Sequence, residues 1–173
     1  VQLALAQVGS GFRFFGAGTD ALGGDIAGSC NVDVACPQGA AWVAKIPAIA
    51  AISSSGSIFC TGFMVNNVQQ DLRNYFMTAN HCGVTAGVAA SLVCYWNYKN
   101  ANCGAGPFSL SQFNTGATFR STFATSDFTL VELNSAPNPA WGVTYAGWDR
   151  STTAPASAVC IHHPSGDVKK ISF

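Results

Sequence analysis

The run Thr78-Ala79-Asn80-His81-Cys82 follows the apolar segment Tyr75-Phe76-Met77. It reads as a strand, then a small residue, then a histidine held by a neighbouring cysteine. An imidazole fixed in that way can take up and return a proton near neutral pH. About 45 residues later, Ser126-Asp127-Phe128-Thr129-Leu130-Val131-Glu132-Leu133 places an acid at the mouth of a second strand. A carboxylate beside an imidazole selects its tautomer and stabilises its charged form. His before Asp is the chain order of one kind of catalytic triad, whose nucleophilic Ser comes last in a Gly-rich loop. No such loop precedes Phe173. The expectation is a fragment that carries His81 and Asp127 but lacks the nucleophile, and is inactive alone.

Each element alone has an ordinary structural explanation. A histidine after a strand is more often structural, and an acid before a strand more often serves a turn. The combination carries the reading, together with Cys60-Thr61-Gly62-Phe63-Met64-Val65, about twenty residues before Cys82. A Cys60–Cys82 bridge would pin the histidine loop to the neighbouring strand. Ser53–Ser57 contains Ser-Gly-Ser but precedes the histidine and reads as a hairpin turn. Ser165 lacks a Gly-x-Ser-Gly context, so neither is a credible nucleophile. His162 and His163 read as strand-end or cleft-wall residues. Tyr95, Trp96, Tyr98, Trp141 and Trp148 read as packing.

The elements that must position these groups are read as β-strands. The chain has 173 residues, enough for one domain with a real core. Hydrophobic residues make up 49% and charged ones 9%, and eight Lys+Arg balance eight Asp+Glu. Such a balance offers no basic field for nucleic acid. No segment reaches the ~20 apolar residues of a membrane helix, so no membrane partner is expected. Eighteen glycines signal many turns. Expected strands are 45–52, 58–65, 75–79, 92–98, 117–124, 128–133, 143–148, 158–162 and 168–173. Turn clusters lie at Ser53–Ser57, Asn66-Asn67, 104–107 and 134–139. Short strands with little helix predict an antiparallel all-β barrel or sandwich. Pro137-Asn138-Pro139 is a stiff break, a candidate connection between one barrel and the next. Residues 1–25, rich in Gly, read as a pro-segment end or N-terminal arm. Residues 26–136 read as a first barrel carrying His81 and Asp127, and 137–173 as a linker with the first strands of a second, truncated barrel.

Seven cysteines predict an oxidising, secreted setting and a disulfide framework with one unpaired thiol. No C-x-x-C pair occurs, and Cys160-Ile161-His162-His163 lacks a fourth ligand at useful spacing, so no metal is expected.

The chain resembles the bacterial secreted lysyl-endopeptidase group of the chymotrypsin-like serine proteases. The matching stretches run from Gly28-Ser29-Cys30-Asn31-Val32-Asp33-Val34-Ala35-Cys36 through Cys60-Thr61-Gly62, Val65-Asn66-Asn67, Tyr75–Gly83 and Tyr95-Trp96-Asn97-Tyr98. They continue with Ala124–Leu130, Ala146-Gly147-Trp148-Asp149-Arg150 and Ile161-His162-His163-Pro164. The resemblance implies an all-β, chymotrypsin-like double barrel, of which this chain is the N-terminal part. It implies His81 as general base, Asp127 as orienting acid, no cofactor, and protein or peptide substrates cleaved after lysine. It also implies the bridges Cys60–Cys82 and Cys36–Cys103, and a partner for Cys30 in the missing C-terminal half. Cys94 and Cys160 depart from the group's pattern, and stand either as an added bridge or as two buried thiols. The rival reading is a catalytically dead protease-like domain kept for binding or scaffolding.

Overall fold

Alternation in the segment after Asp127 decides which side chains turn inward. Along Phe128–Leu133, burial alternates with period two, so Thr129, Val131 and Leu133 face one way and Phe128, Leu130 and Glu132 the other. The fold is that of a computed structural model, which describes residues 27–173 except Ser29. The arm expected over 1–25 lies outside the described residues.

Among the described residues ten strands are formed: β1 Val32–Asp33, β2 Ile49–Ser54, β3 Ser57–Met64, β4 Tyr75–Thr78, β5 Val93–Trp96, β6 Phe113–Thr115, β7 Ala117–Phe123, β8 Phe128–Leu133, β9 Cys160–His162 and β10 Lys170–Ser172. One four-residue helix, α1 Ala86–Ala89, and short 3₁₀ turns connect them. The fold is all-β, as expected. Seven strands make one antiparallel sheet in the order β6-β5-β2-β3-β4-β8-β7.

The two ends of that ladder meet. β6 and β7 are separated only by Gly116, whose N–H donates to Leu92 O (2.7 Å) and whose carbonyl accepts from Asn134 N–H (3.1 Å). One bent strand therefore pairs with β5 on one side of the glycine and with β8 on the other, and the sheet curls back on itself. Gly116 has φ +76° and a space that a Cβ would not fit, 2.5 Å from Asn134 Nδ2 and 3.3 Å from Ala90 O. The corner needs glycine's backbone freedom.

Inside the curl lie Ala50, Ile52, Met64, Phe76, Cys94, Trp96, Ala117, Val131 and Leu133 from six strands, capped by Val84, Ala89 and Leu92. Phe76 meets Trp96 edge-to-face at 6.0 Å, and Trp96 Nε1 donates to Asn114 Oδ1, so the buried indole is satisfied. β2 is buried on both faces. Its Ala51 turns outward beneath Tyr98 and Val168. On the outer face, Glu132 of β8 accepts from both Arg73 and Arg120.

The second sheet has three strands in the order β1-β10-β9. It joins Val32–Asp33 to the last strands of the chain, with Val32 opposite Ile171 and Ile171 opposite Ile161. Those residues pack with Val34, Ile46, Trp42 and Val159. Between the two sheets run several buried polar groups. Lys169 Nζ donates to Ile46 O (2.9 Å) and Ile49 O (2.7 Å), and burial together with Lys99 lowers its pKa to about 7. Asp33 accepts from Asn100 Nδ2 and Ala35 N–H and lies 3.9 Å from Lys170 Nζ.

Several expected boundaries differ. The strand expected over 45–52 begins only at Ile49, because Pro47 sets a 3₁₀ turn at Ile46–Ala48. The strand expected over 143–148 is irregular, with one bridge between Val65 and Ala146. Its alternation is real, but Trp141, Val143 and Tyr145 pack against the curled sheet's core instead of extending a ladder. β1 and β6, too short to show a period, were not expected.

The Cys94–Cys160 bridge is not formed. Cys94 lies on β5 inside the curled sheet, fully buried, while Cys160 is exposed on β9 of the other sheet. Burial raises the Cys94 thiol far above its ordinary range, so it is inert packing. Cys30 is also a free thiol.

Replacing Gly116 with alanine forces a side chain into the left-handed region at the point where the sheet closes. The expected cost is about 1–3 kcal/mol, read as a lower urea midpoint at unchanged slope. A second expectation concerns His163, which is buried and stacked on Tyr98 at 5.5 Å. Its Nδ1 donates to Asp167 O, so the neutral ring carries its proton there and leaves Nε2 without a partner. Burial first, then Lys169, lowers its pKa to about 3. The unfolded chain therefore binds the proton near pH 6.5 and the folded chain does not. Stability is retained above about pH 6.5 and falls toward pH 3 by up to ~1.4 kcal/mol per pH unit from this group. His163→Phe is expected to flatten that part of the stability–pH curve measured by urea unfolding.

Candidate active site

The histidine turn grows directly from β4. Tyr75–Thr78 pairs with β3 on one side and β8 on the other, and Thr78 Oγ1 donates to Thr61 O at 2.7 Å. The chain then turns through the 3₁₀ segment Asn80–Cys82, closed by Gly83 at φ +72° with its N–H on Asn80 O. Cys82 is bonded to Cys60 of β3, which fixes the turn to a neighbouring strand. The second bridge, Cys36–Cys103, ties the start of the described chain to the segment after β5. Both bridges implied by the resemblance are present.

The acid sits in the hairpin between β7 and β8. Ala124–Asp127 makes a turn closed by Asp127 N–H to Ala124 O. Asp127 has φ +51°, a left-handed conformation that aspartate tolerates better than most residues. In that conformation its carboxylate grips the histidine twice. Oδ1 accepts from the His81 backbone N–H at 2.9 Å, and Oδ2 lies 2.7 Å from Nδ1 of the ring. These bonds, led by the backbone one, hold the Asp127 carboxyl below its ordinary pKa. At neutral pH it is an acceptor only, so Nδ1 carries the proton and Nε2 is the basic nitrogen. The side chains of His81 and Asp127 are 72% and 49% exposed, so the ring is open to an incoming group.

The structure thus joins His81 and Asp127, the two residues expected to act together. It keeps His162 and His163 apart from them, in the second sheet and the turn after it. His162 Nε2 contacts Asn31 and Ser172, and His163 N–H donates to Thr61 Oγ1. Trp148, read from sequence as packing, is half exposed. One contact beside the pair was not expected: Asn80 Nδ2 donates to Thr122 Oγ1 at 2.7 Å. Asn80 is inside the motif that signals the histidine, whereas Thr122 has no sequence signature. Cys60, His81 and Cys82 place ligand-type atoms within 4.8 Å of one another. The two sulfurs are bonded to each other and present no thiolates, so the group does not make a metal site as it stands.

Replacing Cys60 and Cys82 together with serine removes a cross-link spanning 22 residues. The chain-entropy relation puts the loss at about 3 kcal/mol, measurable as a lower unfolding midpoint under non-reducing conditions.

The sequence profile described as lysyl endopeptidase, C-terminal domain, matches residues 24–173. A lysyl endopeptidase of Pseudomonas aeruginosa is 35% identical over 158 residues, an alignment that takes in 84% of this chain and 34% of the relative. The chain spans about a third of that relative's length. The family match covers all of the described structure and includes both His81 and Asp127: this chain belongs to the lysyl endopeptidase family.

Proposed function

We propose that the chain carries the proton-handling half of a secreted serine endopeptidase that cleaves peptide bonds after lysine. The observation that carries this reading is the 2.7 Å contact between His81 Nδ1 and Asp127 Oδ2, with the ring otherwise open. In this reading, Nε2 of His81 takes the proton of a serine hydroxyl as that oxygen attacks the substrate carbonyl. The acyl-enzyme forms as His81 passes the proton to the departing amine. Water then attacks the acyl group, again deprotonated by Nε2, and the serine regains its proton. Asp127 stays ionised throughout and stabilises the imidazolium. These steps call on no cofactor.

The curled seven-stranded sheet corresponds in this proposal to the first barrel of a chymotrypsin-like enzyme, with the segment from 137 onward leading into the second. The nucleophile, the oxyanion donors and the lysine-binding acid come from a C-terminal half beyond Phe173, on the same or a second chain. The exposed Cys30 is the thiol that half would engage. The family membership and the likeness to a lysyl endopeptidase support the substrate class. The two formed disulfides suit secretion.

The test extends the chain with the coding sequence that follows Phe173 and assays a lysyl amide substrate. The extended enzyme is expected to cleave it, with His81→Ala and Asp127→Asn each lowering kcat/KM about 10⁴-fold or more. The 173-residue chain alone is expected to show no turnover. Undiminished activity in His81→Ala sinks the proposal.

A further inference from the structure

The carboxylate of Asp127 is half exposed, and a single exposed contact between charged groups is worth little against water. Its geometry is nevertheless tight, with two short bonds to one residue. A second clasp lies beside it. Asn80 Nδ2 donates to Thr122 Oγ1, which joins the histidine turn to the next-to-last residue of β7, just before the Asp127 hairpin. The oxygen of Thr122 is fully committed. Its own hydrogen goes to Phe128 O (2.9 Å), so Thr129 Oγ1, 2.8 Å away, must donate to it. Thr129 is buried and is paired with Thr78, the last residue of β4. Thr122 is therefore held at a fixed point on the sheet, and the Asn80 amide is held by it.

We propose that Asn80 and Thr122 are positioning residues that set the Asp127 carboxylate against Nδ1 of His81. The inference rests on the proton-handling role given to that pair above. Two turns, 79–83 and 124–127, meet at the open rim of the sheet. The Cys60–Cys82 bridge anchors the first turn, but Asp127 with His81 joins the two turns at one residue only and leaves the second turn free to swing about that contact. Two contacts, one on either side of the Asn80–His81 peptide, remove the swing. The backbone of Asn80 also lies against Asp127 and adds to the stabilisation of its ionised form. Preorganisation of an exposed pair thus comes from a neutral bond next to it, one that neither salt nor a pH change near neutrality weakens.

The readout is the tautomer of the His81 ring, followed by imidazole ¹⁵N chemical shifts of the chain at a pH where the ring is neutral. Exchange of the His81 amide proton is followed alongside it. The unmodified chain is expected to hold the Nδ1–H tautomer. Asp127→Asn, the control, is expected to lose that preference and to speed amide exchange. Asn80→Ala and Thr122→Val are each expected to move the ring toward the Nε2–H tautomer and to speed His81 amide exchange about tenfold. Asn80→Ala should leave the thermal midpoint nearly unchanged, whereas Thr122→Val, which takes the partner from the buried Thr129 hydroxyl, should lower it. Thr122→Ser, which keeps the hydroxyl, should restore both readings. If Asn80→Ala and Thr122→Val match the unmodified chain while Asp127→Asn does not, the positioning role is overturned and the pair's own role stands. If Asp127→Asn also changes nothing, the pair itself fails and the positioning role goes with it.

Discussion

The pairing of β4 with β8 is the constraint on which the candidate site depends. The two strands run antiparallel with Thr78 opposite Thr129, so the end of one lies beside the start of the other. His81 comes three residues after Thr78, and Asp127 two residues before Thr129. A separation of 46 residues along the chain becomes 2.7 Å in space through register alone. A slip of one residue would turn Phe76 and Val131 out of the core and send the histidine and the acid to different faces. Core packing and site geometry are therefore the same requirement. The apolar alternation of β4 and β8 that buries Phe76 against Trp96 also brings together two polar residues that lie outside both strands.

That economy explains why much of the site was legible. Thr-Ala-Asn-His-Cys and Ser-Asp-Phe-Thr-Leu each place a candidate site residue just off the end of an apolar strand, and a strand end is set by the same pattern that sets the strand. The cysteine after the histidine found its partner in Cys60 for a similar reason, since β3 is β4's neighbour. What was not legible depends on contacts with no period. The Asn80–Thr122 bond joins two polar residues at an exposed rim, and nothing in their local sequence distinguishes them from solvated ones. Cys94 and Cys160 both fall on strands, yet the sequence does not say that the strands belong to different sheets, one thiol enclosed and the other open to solvent.

The fold was legible to the extent that strands are long. β3, β4, β7 and β8 lie within a residue or so of where the alternation put them. β1 and β6, of two and three residues, are too short to show any periodicity, and both owe their existence to partners already formed. The reverse error arose at Val143–Trp148, where alternating apolar residues cap a core without joining a ladder. Buried lysine is the other surprise. Lys169 escapes the rule that lysine stays at the surface because Ile46 O, in the 3₁₀ turn, and Ile49 O, at the start of β2, both accept from its Nζ.

Closure through a single residue limits where relatives of this chain can differ in length. At Gly116 the strand turns the corner with no loop at all, so an inserted residue there would shift either the β5 or the β8 register and open the sheet. The segments 66–74, 99–111 and 134–159 are free of that restriction, being long connections between strands. Insertions and deletions accumulated over evolution should therefore fall in such connections and avoid the Gly116 corner, and the family's surface should vary there while its curled sheet keeps the same circumference.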